Sequence, residues 1–101
     1  MAAERAAIEA EDPERKKARK LARLMVSEIK LYNEQLVADG LAAGDLYARL
    51  KEPIDQSLVV FQRRVPDAVR AEFDYMHDEL VRQLGKGDAS KLGPDYERRR
   101  A

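Results

Sequence analysis

Residues 22–37, ARLMVSEIKLYNEQLV, decide the fold of this 101-residue chain. An α-helix advances by roughly 100° per residue, so the apolar side chains of this stretch fall mainly on one face. That face is formed by Ala22, Met25, Val26, Ile29, Tyr32, Leu36 and Val37. A second apolar set, Leu21, Leu24 and Leu31, lies on another side of the same helix. The stretch therefore predicts a long helix that is apolar over more than one face.

The composition predicts a single all-α domain. A chain of 101 residues is long enough for one small core and too short for two independent ones. Charged residues make up 38% of the sequence, which is typical of helices with solvated outer faces. The 19 basic and 19 acidic residues leave no net charge, which argues against a general polyanion binder and leaves room for a local basic patch.

Cysteine and long apolar runs are both absent from the sequence. Without cysteine the chain has neither a disulfide framework nor a thiolate zinc site, and a reducing, cytoplasmic setting fits best. The N-terminal residues lack the uninterrupted apolar run of a secretory signal, and no stretch of about eighteen uncharged apolar residues occurs. We therefore expect a cytoplasmic protein that does not span a membrane.

The first predicted helix begins at Asp12-Pro13-Glu14, where Asp serves as N-cap and Pro occupies the first helical position. It is expected to end near Asp39-Gly40, because glycine adopts the left-handed C-cap conformation. The following Leu41-Ala42-Ala43-Gly44 is a short connector that is too apolar to be freely solvated. Residues 1–12 offer Ile8 as their only large apolar side chain and are predicted to be flexible.

A second helix is predicted after Asp45, which caps it. Its core-facing positions follow a near seven-residue repeat. They are Tyr47, Leu50, Ile54, Ser57 or Leu58, Phe61 and Val65. Pro53 interrupts this pattern and removes the hydrogen bond to the carbonyl of Arg49, so the helix is expected to kink or restart near Glu52.

A third helix is predicted from Pro66, because the residue before a proline is pushed out of helical space. Its inner face comprises Val69, Phe73, Met76, His77, Leu80, Val81 and Leu84, with Gly85 or Gly87 ending it. The tail of residues 86–101 is predicted to be irregular, with Leu92 and Tyr96 as its only docking points. The sequence thus predicts a three-helix bundle over residues 13–85, with a proline-bent middle helix and disordered or loosely docked termini.

Several large apolar side chains exceed what this core needs. They are Leu21, Leu24, Leu31, Leu46, Val59 and Val60. Burying one such side chain stabilises by roughly 1.5 to 3 kcal/mol relative to leaving it in water. A predicted ordered part of this length is also about the size at which one core rarely supplies more than ~3 to 5 kcal/mol. We therefore expect two interaction faces, Leu24/Leu31 and Leu46/Val60, for a homo-oligomer or a protein partner.

A basic run near the start of the first helix has two interpretations. It consists of Arg15, Lys16, Lys17, Arg19, Lys20 and Arg23. The first is a solvated face whose long side chains shield Leu21 and Leu24. The second is an anion contact for a phosphate backbone or an acidic partner. Aromatic residues are not interleaved with these cations, which weakens the case for nucleic acid.

His77 is the only histidine, so a metal or acid/base role would have to use it. Asp74 and Asp78 lie close enough in sequence to raise its pKa. A second histidine, a Gly-x-Ser-x-Gly turn and a phosphate-binding loop are all missing from the sequence. We expect His77 to be a half-buried packing residue and the protein to be non-enzymatic, with no metal or other cofactor and no identified small-molecule substrate.

Three stretches carry a resemblance: ARLMVSEIKLYNEQLVADG (22–40), DLYARLKEPIDQS (45–57) and VPDAVRAEFDYMHDELVR (65–82). Together they resemble a helical module found at the ends of assorted bacterial proteins of unassigned role. The resemblance covers about residues 18–96 and brings no catalytic motif or ligand. It implies only that such a module can be appended to other domains.

The sequence therefore predicts a non-enzymatic protein-interaction or oligomerisation module. The alternative is a nucleic-acid-associated protein that contacts phosphates through Arg15–Arg23. A third reading is a metal-binding or enzymatic helical bundle centred on His77.

Overall fold

The computed structural model describes residues 2–100, and every regular element in that range is helical, which confirms the predicted all-α class. The seven α-helices are α1 (Ala2–Glu11), α2 (Pro13–Tyr32), α3 (Glu34–Ala43), α4 (Leu46–Arg64), α5 (Asp67–Glu72), α6 (Tyr75–Glu79) and α7 (Pro94–Arg100). A π-helical turn at Leu80–Leu84 continues α6, and a 3₁₀ turn at Ala89–Leu92 precedes α7. None of the helices described combines the length and apolar character needed to cross a bilayer.

The first predicted helix is divided at Asn33. It begins as predicted, since the Asp12 side chain accepts a hydrogen bond from the Glu14 N–H at 2.9 Å. At Asn33 the backbone turns out of helical geometry (φ −136°, ψ 39°), and the side-chain amide donates to the Ile29 carbonyl at 2.9 Å. A short amide side chain that binds the local backbone competes with helix continuation. The expected end near Gly40 is therefore wrong, and Gly44 (φ 74°) caps α3 instead.

The second predicted helix corresponds to α4. Pro53 lies inside it, and the backbone leaves helical geometry at Leu50 (φ −114°, ψ 21°) rather than near Glu52. Proline has no N–H for the carbonyl of Arg49, so the turn before it lacks one of its hydrogen bonds. The departure falls within that turn.

The third predicted helix is divided at Phe73, which adopts an extended conformation (φ −156°, ψ 138°). Asp74 then caps α6 by accepting a hydrogen bond from the His77 N–H at 3.0 Å. The apolar periodicity of the sequence continues across this break. The pattern of apolar residues therefore does not predict the break at Phe73. The first predicted helix thus corresponds to α2 and α3, and the third to α5 and α6. The second corresponds to α4, which is interrupted at Leu50.

The core lies between α2, α4 and α6 with its π-helical turn. Its largest fully buried side chains are Tyr75, Leu46, Leu50, Ile54, Met76, Leu80, Leu84, Leu92 and Val26. Both ends of the chain pack against this core. The segment predicted to be flexible contains α1, which lies along α2 and buries Glu9.

The expected irregular tail at 86–101 is wrong, because the tail forms the 3₁₀ turn and α7. The two predicted docking residues, Leu92 and Tyr96, are both buried. The Tyr96 ring meets Tyr47 edge-on, with centroids 5.5 Å apart. Aromatic packing of this kind anchors the last helix on α4.

Candidate functional site

An open groove of roughly 670 Å³ lies between the C-terminal half of α2, helix α3 and the end of the π-helical turn. It is lined by Ser27, Lys30, Leu31, Glu34, Val37, Ala38, Leu41, Ala42, Gln83 and Lys86. The volume lies within the usual range for ligand and peptide sites.

The floor of the groove is apolar because of the spacing on α3. Val37 and Leu41 are four residues apart, as are Ala38 and Ala42, so both pairs share one side of the helix. The alanine methyl groups are too short to fill the space above them. Leu31 stands at the edge of this floor with 62% of its surface exposed. A concave apolar surface with an exposed leucine at its lip is therefore available for contact.

Gln83 fixes the wall opposite α3. Its side-chain amide donates to the Arg23 carbonyl and to the Glu79 carboxylate, both at 3.0 Å. Its oxygen accepts a hydrogen bond from the Ser27 hydroxyl at 2.9 Å. These bonds hold the π-helical turn against α2, so this wall of the groove is preformed.

The rim of the groove is mainly basic. Lys30 and Lys86 flank it, and Glu34 is its only lining carboxylate among residues 2–100. Neither lysine forms an ion pair with any residue that the structure describes. Lys86 adopts a left-handed backbone conformation (φ 51°) just before Gly87 (φ 87°). A positive φ is uncommon for lysine, and the turn that requires it places Lys86 beside the groove.

The basic surface continues along the outward side of α2. Lys16, Lys17, Lys20 and Arg23 are all exposed there, and none of the four has an ion-pair partner in the described part of the chain. Leu24, with 56% of its surface exposed, lies among them, one heptad before Leu31. The outward side of α2 therefore combines free cations with two leucines. We call Leu24, Leu31 and the groove floor the apolar face.

Two residues of the predicted anion patch do not belong to that surface. The Arg15 guanidinium donates to Glu72 at 2.9 Å and also pairs with Asp12. Arg19 is 5% exposed and is enclosed by three carboxylates. Both guanidinium groups are engaged within the chain, and burial leaves Arg19 without access to an external anion.

Arg19 organises the opposite end of α2. Its guanidinium forms a two-pronged pair with Glu9, at 2.8 and 3.1 Å. It also donates to Asp78 at 2.6 Å and to Glu79 at 2.7 Å. The Tyr75 ring lies 5.2 Å below the guanidinium carbon. The cluster joins α1, α2 and α6, which is a structural role.

The predicted interaction residues on α4 have different positions. Leu46 is 0% exposed, so its assignment to a surface is wrong. It packs against Gly40, where an added Cβ would lie 2.9 Å from the Leu46 Cδ2. Val59 and Val60 are exposed, and Val60 lines a smaller depression of roughly 400 Å³ on the other side of α2. Leu21 is half-buried against the core.

His77 packs against the last helix. Its Nδ1 lies 2.9 Å from the Tyr96 hydroxyl, and the two rings stack with centroids 5.6 Å apart. Burial lowers the pKa of His77, the Arg100 charge lowers it further, and Asp74 and Asp78 oppose both effects. Burial also raises the pKa of the Tyr96 hydroxyl to about 12. Within residues 2–100, no group of three or more histidine, cysteine or carboxylate side chains is placed to hold a metal ion.

Most of the groove was missed by reading the sequence. Lys30, Ala38 and Lys86 carry no motif and come from three separate elements. The one available signal is the apolar Leu41-Ala42-Ala43-Gly44 stretch, which the sequence predicts to be a connector and which forms the last turn of α3 and its cap.

Comparison of the chain with protein-family models, curated proteins and solved structures finds no match in any of the three.

Proposed function

We propose that the chain is a cytoplasmic, non-enzymatic protein-interaction module that binds a different protein through its apolar face. The observation that carries this proposal is Leu31, which is 62% exposed at the lip of an apolar groove. Its position supports the proposal because a concave apolar surface with polar rims is a common form of protein docking site.

The energy available at this face is substantial. Complete burial of a leucine stabilises by roughly 1.5 to 3 kcal/mol, and Leu24 and Leu31, at 56% and 62% exposure, each retain more than half of that surface for a partner to cover. The wall opposite α3 is held by hydrogen bonds of Gln83 to Ser27 and Arg23, so this side of the groove needs little ordering before a partner binds.

The charges support a different protein over a second copy of the chain. In a two-fold symmetric dimer centred on the groove, the rim with Lys30 and Lys86 would face the same two lysines of the other copy, with Glu34 as the only carboxylate among the described lining residues. Facing like charges are destabilising at an interface. A partner with another charge pattern avoids this repulsion.

The test begins with photo-crosslinking. A benzoylphenylalanine at Ala42, inside the groove, should capture one protein in the cells that produce the chain. That protein is then purified, and its affinity is measured by calorimetry for wild type, Leu31→Glu and Leu36→Glu. Leu36 is a matched control, because it is an exposed leucine on α3 outside the groove. We expect Leu31→Glu to weaken binding at least ~10-fold, a loss of about 1.4 kcal/mol, and Leu36→Glu to have little effect.

Two results would overturn the proposal. One is an affinity that Leu31→Glu leaves unchanged. The other is a dimer in light scattering that Leu31→Glu disperses, since this would assign the groove to self-assembly.

A second candidate function is nucleic-acid association. Four cations without an ion pair among residues 2–100, Lys16, Lys17, Lys20 and Arg23, favour it, whereas the exposed leucines Leu24 and Leu31 on the same side of α2 do not. Retardation of DNA or RNA that disappears at moderate salt and in Lys16→Glu/Lys20→Glu would support this candidate. Absence of retardation at low salt would remove it.

A further inference from the structure

We infer that the segment bound by this face is an acidic amphipathic helix, an inference that rests on the proposed function. The apolar face supplies the contact for the apolar stripe of such a helix. The surrounding free cations supply the contacts for its carboxylates.

The distribution of ion pairs points to an acidic partner. Away from the groove most arginines are paired within the chain, as Arg49 is with Asp45 and Arg82 with Asp78. A few cations there, such as Lys91, form no ion pair within residues 2–100. Around the apolar face all the cations are of this second kind. Lys20, Arg23 and Lys30 have no ion-pair partner among the described residues, and neither has Lys86 across the groove. Carboxylates brought by a partner would meet several cations that have no competing pair.

The dimensions fit a helix. A helix rises about 1.5 Å per residue, so Lys16 to Lys30 span roughly 21 Å along α2. That length corresponds to about four turns of a partner helix. Leu24 and Leu31 are seven residues apart, which matches apolar anchors at i and i+7 on a facing helix.

The concave shape argues against a membrane surface. A flat lipid surface would reach Leu24 and Leu31 but would leave the exposed Ala38 and the partly exposed Leu41 uncovered, because they lie inside the groove. A helix side chain can enter the groove and cover them.

The inference is tested with a displayed library of four-turn helices. The apolar stripe is fixed, and each flanking position carries Glu, Lys, Gln or Ser in equal proportion. Binders are selected on the wild-type chain and counter-selected on Leu31→Gln, which removes the apolar contact without adding a charge. We expect enrichment of Glu at the flanks. We also expect selected peptides to bind Lys30→Glu/Lys86→Glu about tenfold more weakly. Arg63→Glu/Arg64→Glu is the matched control, since these two arginines of α4 are exposed, form no ion pair within residues 2–100 and lie outside the groove.

The outcomes separate the two proposals. Groove-dependent binders with no acidic bias, or with enriched lysine, would overturn the inference and leave the proposed function standing. A library without any binder sensitive to Leu31→Gln would count against both. A further experiment measures binding of the chain to vesicles that contain anionic phosphatidylglycerol. Binding to vesicles that Leu31→Glu abolishes, without an acidic bias in the library, would assign the face to a membrane and overturn the inference.

Discussion

The guanidinium of Arg19 and the carboxylate of Glu9 form a two-pronged ion pair, with N–O distances of 2.8 and 3.1 Å. The pair joins α1 to α2. It is buried, and the same guanidinium also contacts Asp78 and Glu79. A single cation therefore neutralises carboxylates from two other helices.

Replacing Arg19 with methionine should destabilise the protein by about 3 to 5 kcal/mol. The change keeps the volume of the side chain but leaves the buried carboxylates of Glu9 and Glu79 without their cation. Urea unfolding followed by circular dichroism measures the loss. Lys20→Met is the control, because Lys20 is exposed on the same helix, and it should change stability by less than about 0.5 kcal/mol. Equal effects of the two changes would contradict a structural role for Arg19.

Glu72 should make stability depend on pH in the acid range. Hydrogen bonds from Arg15 and Arg5 lower the pKa of this carboxylate from 4.5 to about 2. Because the pKa is lower in the folded state, the stabilisation is present above pH 4.5 and is lost as the pH falls from 4.5 through about 2. Glu72→Gln should therefore lose less stability than wild type across that interval. If the unfolding free energies of the two proteins changed in parallel with pH, the hydrogen bonds of Glu72 with Arg15 and Arg5 would contribute nothing to stability.

Local signals in the sequence predicted part of this fold. The start of α2 follows from Asp12 and Pro13, since capping depends on neighbouring residues alone. Burial of Leu92 and Tyr96 was also expected, because they are the only large apolar residues in a polar tail. The break at Asn33 was not expected, since the apolar stripe continues through it and the amide bond to Ile29 is visible only in the folded chain.

The positions of Arg19 and Leu46 depend on distant parts of the chain. Arg19 was grouped with the exposed cations by residue type, and its partner Glu9 lies in a segment predicted to be flexible. Leu46 falls off the main stripe of α4 and is buried because Gly40 on α3 allows close approach. Neither the ion pair of Arg19 with Glu9 nor the contact of Leu46 with Gly40 can be predicted from neighbouring residues in the sequence. The groove was hidden for the same reason, since its lining comes from elements separated along the chain.

Replacing Gly40 with alanine should destabilise the contact between α3 and α4. The new Cβ would lie 2.9 Å from Leu46 Cδ2 and 3.0 Å from Leu46 Cα, so the backbone as well as the side chain must move. Overpacking of this kind costs about 1 to 3 kcal/mol, and the better helix propensity of alanine offsets about 1 kcal/mol of it. We expect a net loss of up to about 2 kcal/mol in urea unfolding.

Gly44→Asn is the matched control for that change. Gly44 caps α3 with a φ of 74°, and an added Cβ there meets nothing within 4 Å. Asparagine tolerates the left-handed conformation, so stability should change little. A Gly40→Ala protein as stable as wild type would show that α3 can move away from Leu46 without cost.

His77 should add a second pH dependence, in a higher range than Glu72. Burial, with help from Arg100, lowers the pKa of the folded-state imidazole below 6.5, despite the opposing charges of Asp74 and Asp78. Because the unfolded chain binds this proton more readily, the stabilisation is present above pH 6.5 and is lost as the pH falls from 6.5 through the lower folded-state pKa. In the tautomer that carries its proton on Nε2, the neutral ring accepts a hydrogen bond from the Tyr96 hydroxyl, 2.9 Å from Nδ1, and protonation of Nδ1 removes that acceptor.

The measurement is the slope of unfolding free energy against pH between about pH 7 and 5. Wild type should lose stability more steeply than His77→Gln, which has no titrating ring. Asp74→Asn, which removes one opposing charge, should steepen the wild-type slope further, because the imidazolium would then be less favoured in the folded state. If His77→Gln shows the wild-type slope, the contact between His77 and Tyr96 does not respond to pH, and α7 remains docked whatever the charge on the ring.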